Sequence, residues 1–401
     1  MNMQKEESQS EERINSKRIK RIQKDDNNEK KENIFTSNFY PSSTFDLELF
    51  HSAKLLKTFT GHTNHIDSID LFTFDGIQYL CSGSRDDLLC VWDVETTKQI
   101  QSFDGHSHHV FCVKFSNYYY RKYHLPVICS SSWDKTIRFW DFKNNKELEI
   151  FSDHTESVEG IDFSSFAGGR YLCSGSWDCT IRLWDVETSK SLHVFNGHTN
   201  IVRCVEFSPQ SNGKINNNDK SKIDIIDGSG YTICSGSADK TIRLWDIETT
   251  KELAIFRGHS DWVRSVHYLP FSIQINGGGN MICSGSADKT VRLWDIRSDK
   301  EITIFKGHTA NVNCVKYLPC ENNHKDTGVI GIICSGSSDN TIQFWDIRTN
   351  KQLHQIEGKK EDSGISCFQF VSLESNANDK NKHNTYNLCY GSTNGPIRLF
   401  G

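Results

Sequence analysis

The segment CSGSADKTIRLWD at residues 234–246 recurs at residues 283–295 with a single change, Val291 in place of Ile242. Related versions begin at Cys81, Cys129, Cys173, Cys334 and Cys389, which makes seven. Six end in a Trp-Asp pair whose Asp lies 12 residues past the Cys: Trp92-Asp93, Trp140-Asp141, Trp184-Asp185, Trp245-Asp246, Trp294-Asp295 and Trp345-Asp346. The seventh, CYGSTNGPIRLFG, keeps the spacing but ends in Phe400-Gly401. A chain that writes one unit seven times must stack copies of a single supersecondary element, because no copy alone can bury its apolar faces.

Each of the first five Trp-Asp pairs is followed, 13 residues past its Asp, by a His: His106, His154, His198, His259 and His308. That interval never changes. The large length differences fall between this His and the next Cys, and the longest is the polar insert SPQSNGKINNNDKSKIDIIDGSG of repeat four. One loop per unit therefore takes the insertions.

The unit reads as four short strands. In repeat four, IVRCVEF alternates, YTICSGS is a β run, Ala238-Asp239-Lys240 turns the chain, and TIRLWD and ELAIF follow as third and fourth strands. No helical period interrupts them. Units of about 44 residues with four strands and Gly-His and Trp-Asp punctuation resemble the WD40 family. The resemblance covers residues 55–401 and implies an all-β fold: a seven-bladed propeller of four-stranded antiparallel blades. In that family the outermost strand of a blade comes at the start of the next repeat. Here the chain stops after the third strand of repeat seven, while LLKTF (residues 55–59) is a spare strand in the phase of SLHVF and ELAIF. We expect the N-terminal strand to close the ring, which leaves no open end for unwanted pairing.

The recurring His, Ser, Asp and Trp invite comparison with a serine hydrolase. The sets are His62, Asp86 and Trp92; His106, Asp134 and Trp140; His154, Asp178 and Trp184; His198, Asp239 and Trp245; His259, Asp288 and Trp294; and His308, Asp339 and Trp345. Each comes with a second-strand Ser, such as Ser84 or Ser237. A triad needs one asymmetric site with an oxyanion hole. Six equal copies instead suggest a hydrogen-bonded fastener inside each blade, as the family resemblance also implies. Repeat three has Asp153 where the others have Gly before the His, and repeat seven lacks the His and carries Asn394 and Phe400 for Asp and Trp. Blade seven is expected to be the weakest. The Arg of each IRLW strand reads as an ordinary charged strand residue.

Composition narrows the function classes. The 401 residues are 36% apolar with a formal charge of -5, which gives no global attraction to nucleic acid or to an anionic membrane. No secretion leader or long uncharged apolar run is present. The 14 Cys lack CxxC pairing, and most recur at fixed strand positions: seven in second strands and Cys112, Cys204, Cys314 and Cys367 in first strands. They read as reduced, buried thiols of a cytoplasmic or nuclear protein rather than as disulfides or metal ligands. No cofactor and no catalytic residue is expected.

Family members dock peptides on the face formed by the loops between blades and the turns between second and third strands. The insertions lie on the opposite face. Three positions per repeat should point to the compact face: the third and fifth residues after the His, and the residue before the turn Asp. They are His65, Asp67 and Arg85; His109, Phe111 and Trp133; Ser157, Glu159 and Trp177; Ile201, Arg203 and Ala238; Trp262, Arg264 and Ala287; and Asn311, Asn313 and Ser338. Repeat seven, with two extra residues in its loop, gives Gly364, Ser366 and Thr393. Three of the nine Trp, namely Trp133, Trp177 and Trp262, are not needed by the fasteners and fall at these positions. Trp262 with Arg203 and Arg264 would suit an acidic or phosphorylated peptide segment, and Trp133 with Trp177 a second, more apolar patch.

Residues 1–33 are polar and charged and are expected to be disordered. Their run KRIKRIQK is a nuclear-import or nucleic-acid patch only if the neighbouring acids do not cancel it. Residues 34–53 are rich in Phe, and Pro41-Ser42-Ser43 would start a short helix packed on the propeller edge. The sequence thus predicts a non-enzymatic, monomeric scaffold that binds other proteins through short peptide segments within a larger complex. The alternatives are a nucleic-acid-associated propeller, a propeller hydrolase, and a substrate-recruiting subunit of a ubiquitin ligase, which would need another chain.

Overall fold

The computed structural model describes residues 54–209, 231–269, 281–319, 331–372 and 386–401. Within them, 28 strands form seven four-stranded antiparallel sheets arranged as the blades of a ring. Blade four is representative. Its strands a to d run from the axis outward: Val202–Phe207, Thr232–Ser237, Thr241–Asp246 and Glu252–Arg257. Strands b and c are buried at every position, whereas a and d alternate, since one lines the axis and the other faces solvent.

The apolar cores lie between blades. Cys81, Val91 and Phe103 of blade one pack with Val110, Val113 and Trp140 of blade two, and similar clusters fill each of the seven junctions, including that between blades seven and one. A lone blade would leave both faces of its sheet wet, so each blade needs two neighbours. Close approach fixes two glycines of the motif. A Cβ on Gly236 would stand 2.7 Å from Val263 of the next blade, and one on Gly197 2.8 Å from the far edge of the Trp245 indole. In blade three, where Asp153 replaces that second Gly, Phe151 stacks on Trp184 with ring centroids 5.0 Å apart.

Blade seven is assembled from both ends of the sequence. Leu55–Phe59 pairs antiparallel with Ile397–Phe400, and Lys54 and Gly401 exchange backbone hydrogen bonds. Phe59 enters the core shared with blade one beside Ile66 and Trp92. The closing strand is therefore packed as well as paired.

The a–b loops of blades one to three are described. Blade one makes a hairpin through Asp75-Gly76, both with positive φ; blade two carries a helix, Asn117–Tyr123; blade three has a short 3-10 turn, Ala167–Gly169. The helix is a departure from the all-strand reading of the unit. NYYYRKY has weak intrinsic helix preference, and the segment is held by burial of Tyr118 and by a left-handed residue, His124, that ends it. The expected tail (residues 1–33), the Phe-rich segment (34–53) and most of the repeat-four insert lie outside the described residues.

Candidate functional site

The fasteners are six closed hydrogen-bond chains. The Trp Nε1–H donates to Ser Oγ at 2.8 Å in all six. Ser Oγ lies 2.7–2.8 Å from His Nε2. His Nδ1 lies 2.7–2.9 Å from the turn Asp. Indole can only donate and carboxylate only accept, so an imidazole that is neutral carries its proton on Nδ1 and accepts Ser Oγ–H at Nε2, whereas a protonated one donates from both nitrogens. This arrangement has the spacing of a catalytic triad, but the hydroxyl is wholly buried and one of its lone pairs is taken by the indole N–H. No substrate reaches it. Burial pushes the Asp239 carboxyl up, but the His198 bond and the Thr241 hydroxyl outweigh that and hold it well below the usual carboxylate range.

The serines of these chains are Ser82, Ser130, Ser174, Ser235, Ser284 and Ser335, which corrects the sequence assignment to Ser84 and Ser237. Both serines of CSGS face the same way, but only the first is deep enough to meet the indole. The second sits at the strand end, where Ser237 Oγ accepts the Asp239 backbone N–H at 2.9 Å and donates to the Asn200 carbonyl at 3.1 Å. The IRLW arginines are also more than strand residues. Arg243 is 8% exposed, binds the hydroxyl of Thr241 and pairs with Glu252. Blade one has Leu88 and Cys90 in place of that Thr and Arg.

This difference is visible in the histidines. Burial lowers the pKa of His198 and His259 and outweighs the pull of Asp239 and Asp288, with Arg243 and Arg292 adding repulsion. At His62 burial acts the same way, but Asp86 and the neighbouring Cys90 sulfur dominate and raise it to about 9.

Blade seven replaces the fastener with another. Tyr390 takes the Ser position and donates its hydroxyl to Asp362 at 2.7 Å; Asp362, fully buried, also accepts from Arg398 at 2.8 Å and from the Lys359 backbone at 3.1 Å. Arg398 reaches on to Thr58 of the closing strand at 3.2 Å. Phe400 stacks on Tyr390 where the indole would be. The two extra loop residues supply Asp362 on a short 3-10 turn, Lys360–Asp362.

The compact face is built by a bulge repeated in every blade. The register of strand a slips at Asp67, Phe111, Glu159, Arg203, Arg264, Asn313 and Ser366, and these are the fifth residues after the His, or their equivalent in blade seven. A bulge re-aims its side chain. The residue before the turn Asp donates its backbone N–H to the third residue after the His in all seven blades, as from Arg85 to His65, Trp133 to His109, Ala238 to Ile201 and Ser338 to Asn311.

The face carries one connected run of side chains where the sequence suggested two patches. Trp133 and Trp177 lie 4.8 Å apart between ring centroids, with Phe111 stacked against both and His109 edge-on to Trp133. Trp177 donates its N–H to Glu159 at 3.0 Å, Glu159 pairs with Arg203 at 2.5 Å, and Arg203 lies over Trp262 at 5.3 Å. Burial raises the Glu159 pKa against the opposing Arg203. Arg85 grips Asp67 with two nitrogens at 2.9 and 3.1 Å, and His65 flanks it at 3.2 Å. Arg203 and Arg85 are thus already paired. Arg264 touches only the Asn313 amide oxygen, at 3.3 Å, and among the described residues no carboxylate lies within ion-pair distance of it. Trp133 and Trp262 are 41% and 40% exposed.

One set of polar residues escaped the sequence reading. Asp70, Lys114, Asp162, Glu206, His267, Lys316 and Gln369 occupy one strand-a position per blade and stitch neighbours together: Asp70 accepts the Phe115 N–H at 2.9 Å, Asp162 that of Phe207 at 3.0 Å, and Glu206 that of Tyr268 at 2.8 Å. The signal was a polar residue between apolar ones, as in VKF, IDF and VEF. Among the described residues no three His, Cys, Asp or Glu converge to hold a metal, and no helix is long and apolar enough to cross a membrane. The seven second-strand Cys are buried; the four first-strand Cys are half-buried, and all the described Cys are free thiols.

Comparison with known proteins gives the same architecture. A Lissencephaly-1 homolog of Dictyostelium discoideum is 39% identical over 57 residues, 13% of either chain. Nuclear distribution protein PAC1-2 of Postia placenta is 42% identical over 41 residues, 10% of either chain. Coatomer subunit beta'-1 of Arabidopsis thaliana is 36% identical over 58 residues, 14% of this chain and 6% of that protein. These matches span about one repeat and a small part of each relative. The family model for the WD domain, G-beta repeat, matches residues 53–93, 97–141, 145–185, 189–246, 250–295 and 299–346, well over half of the sequence. The chain belongs to the WD40 repeat family.

Proposed function

We propose that the protein is a non-enzymatic scaffold that captures a peptide segment of another protein across the compact face, as a monomeric propeller within a larger complex. The observation that carries this reading is the run from Trp133 through Trp177, Glu159 and Arg203 to Trp262. Its two outer indoles are exposed, and the fasteners use none of its three. Exposed Trp and Arg held by a rigid frame are the residue types on which binding energy concentrates. An acidic or phosphorylated side chain finds its partner in Arg264, since Arg203 is already neutralised by Glu159. The relatives' names, among them a coatomer subunit, are in keeping with work inside assemblies. Buried reduced thiols suit the cytoplasm or nucleus.

The test is affinity capture from native lysate, comparing the parent with a Trp133→Ala, Trp262→Ala, Arg264→Ala variant matched in thermal melting. Arg203 is left in place because its removal would strand the buried Glu159 carboxylate. Proteins retained by the parent and lost from the variant support the reading; an identical set on both refutes it. Binding that falls steeply with salt and follows added nucleic acid would favour the nucleic-acid alternative.

A further inference from the structure

The face opposite the mouth carries a cleft of about 330 Å³ between blades two and three, lined by Tyr119, Tyr123, Leu125, Leu148, Glu149 and Val186, with Tyr118 and Glu187 at its edge. It exists because the Asn117–Tyr123 helix stands over the outer strand of blade two and the c–d turn of blade three. Its chemistry is that of a seat for an organic cation. The protein uses the same chemistry beside it: the Lys122 ammonium lies 5.2 and 5.3 Å from the Tyr118 and Tyr123 rings and binds the Tyr118 hydroxyl at 2.8 Å and Glu187 at 2.5 Å. Glu187 is further satisfied by Arg170.

Glu149 has no such partner. Ser189 Oγ donates to its Oε2 at 2.9 Å, and among the described residues no cation lies within ion-pair distance of this carboxylate. Beside it are the Tyr119 ring, whose hydroxyl is pushed up by burial and by Glu149, the 51%-exposed Tyr123, and the apolar walls of Leu125, Leu148 and Val186.

We propose that this cleft receives an arginine or lysine side chain from a partner protein, its stem against the apolar walls, its charge on Glu149 and its head group on the Tyr119 and Tyr123 rings. The fit is one of charge and shape: a carboxylate wanting a cation, aromatic faces that attract one, and a floor that suits a methylene stem. This is a second surface, separate from the mouth and independent of the reading given to it.

The test uses the full chain with tyrosine rings isotopically labelled and N-acetyl-arginine amide as probe, against N-acetyl-citrulline amide, which has the same shape without the charge. The expected result is a saturable shift of the Tyr119 and Tyr123 resonances with arginine, at least tenfold weaker with citrulline, and at least tenfold weaker in Glu149→Gln. Glu149→Lys should abolish it, whereas Trp262→Ala should leave it unchanged. Absence of saturation, equal response to citrulline, or an unaltered response in Glu149→Gln overturns the proposal. So does a shift of these rings, before any probe is added, on changing Lys17, Arg18, Lys20 and Arg21 to Ser, since the occupant would then be the chain's own tail.

Discussion

Blade four and blade seven solve the same problem with different residues. In blade four, Trp245, Ser235, His198 and Asp239 form a relay of short hydrogen bonds, with Arg243 paired beside it. In blade seven a Tyr, a buried Asp and an Arg do the work, and the Arg also holds a strand that arrives from the other end of the chain. The lesson is that the fastener is defined by what it must satisfy, a buried donor set between loop and sheet, and not by the four residue names. A buried Asp–Arg pair is also more costly to break than the hydrogen bonds among the relay's indole, hydroxyl and imidazole, so blade seven concentrates its stability in one place.

The largest effect should follow from removing the closing strand. A chain lacking Leu55–Phe59 loses the burial of Phe59 and leaves the Ile397–Phe400 strand as a bare edge beside the buried Arg398. The Phe side chain alone is worth about 3–5 kcal/mol, and a fall in melting temperature of more than about 10 °C by circular dichroism is expected. Melting equal to the parent would show that the ring does not depend on this closure.

Next, Asp362→Ala should destabilise by about 3–5 kcal/mol, because it leaves the buried Arg398 guanidinium with only the exposed Glu361 and Thr58 as partners and orphans the Tyr390 hydroxyl. Ser235→Ala should cost only about 1–3 kcal/mol, by orphaning a neutral indole N–H and an imidazole nitrogen. Denaturant midpoints of the two variants decide it: equal losses would erase the distinction between breaking the Asp–Arg pair and breaking the links of the relay's uncharged groups. An Asp362→Leu, Arg398→Met double variant should recover much of the single-variant loss.

The smallest effect separates blade one from blade four. His62, raised from 6.5 to about 9, favours the protonated fold, so its contribution is fully present below pH 6.5 and is lost as pH rises through 9. His198 is lowered, so it contributes nothing above its ordinary value and weakens the fold as pH falls below it. Ring titrations on the histidine-labelled protein should show His62 still protonated at pH 7.5 and His198 neutral. Cys90→Arg, which restores the residue of blades two to five and seven, should bring the His62 titration down.

Legibility varied with the range of the interaction. Strand order and the closing strand followed from local alternation and from the phase of LLKTF, because each is a property of one segment. Which Ser of CSGS joins the relay was read wrongly, since that depends on depth relative to a Trp ten residues away. Tyr390, Asp362 and Arg398 come together across a loop whose two extra residues, read in sequence, only shift the positions that follow them. The connected run on the compact face was missed for the same reason: Glu159 is unremarkable in sequence and becomes the joint between two aromatic groups only when blades three and four stand side by side.

The sequence by itself determined the repeat, the four-strand unit, the number of blades and the face kept free of insertions, because each is written in spacing that a strand reads over a few residues. Tertiary structure alone decided which charges are spent on one another, where the Asn117–Tyr123 helix stands, and which carboxylates remain without a cation. Those outcomes depend on side chains from different blades meeting at a junction, and their distances are set by the closed ring rather than by any stretch of chain.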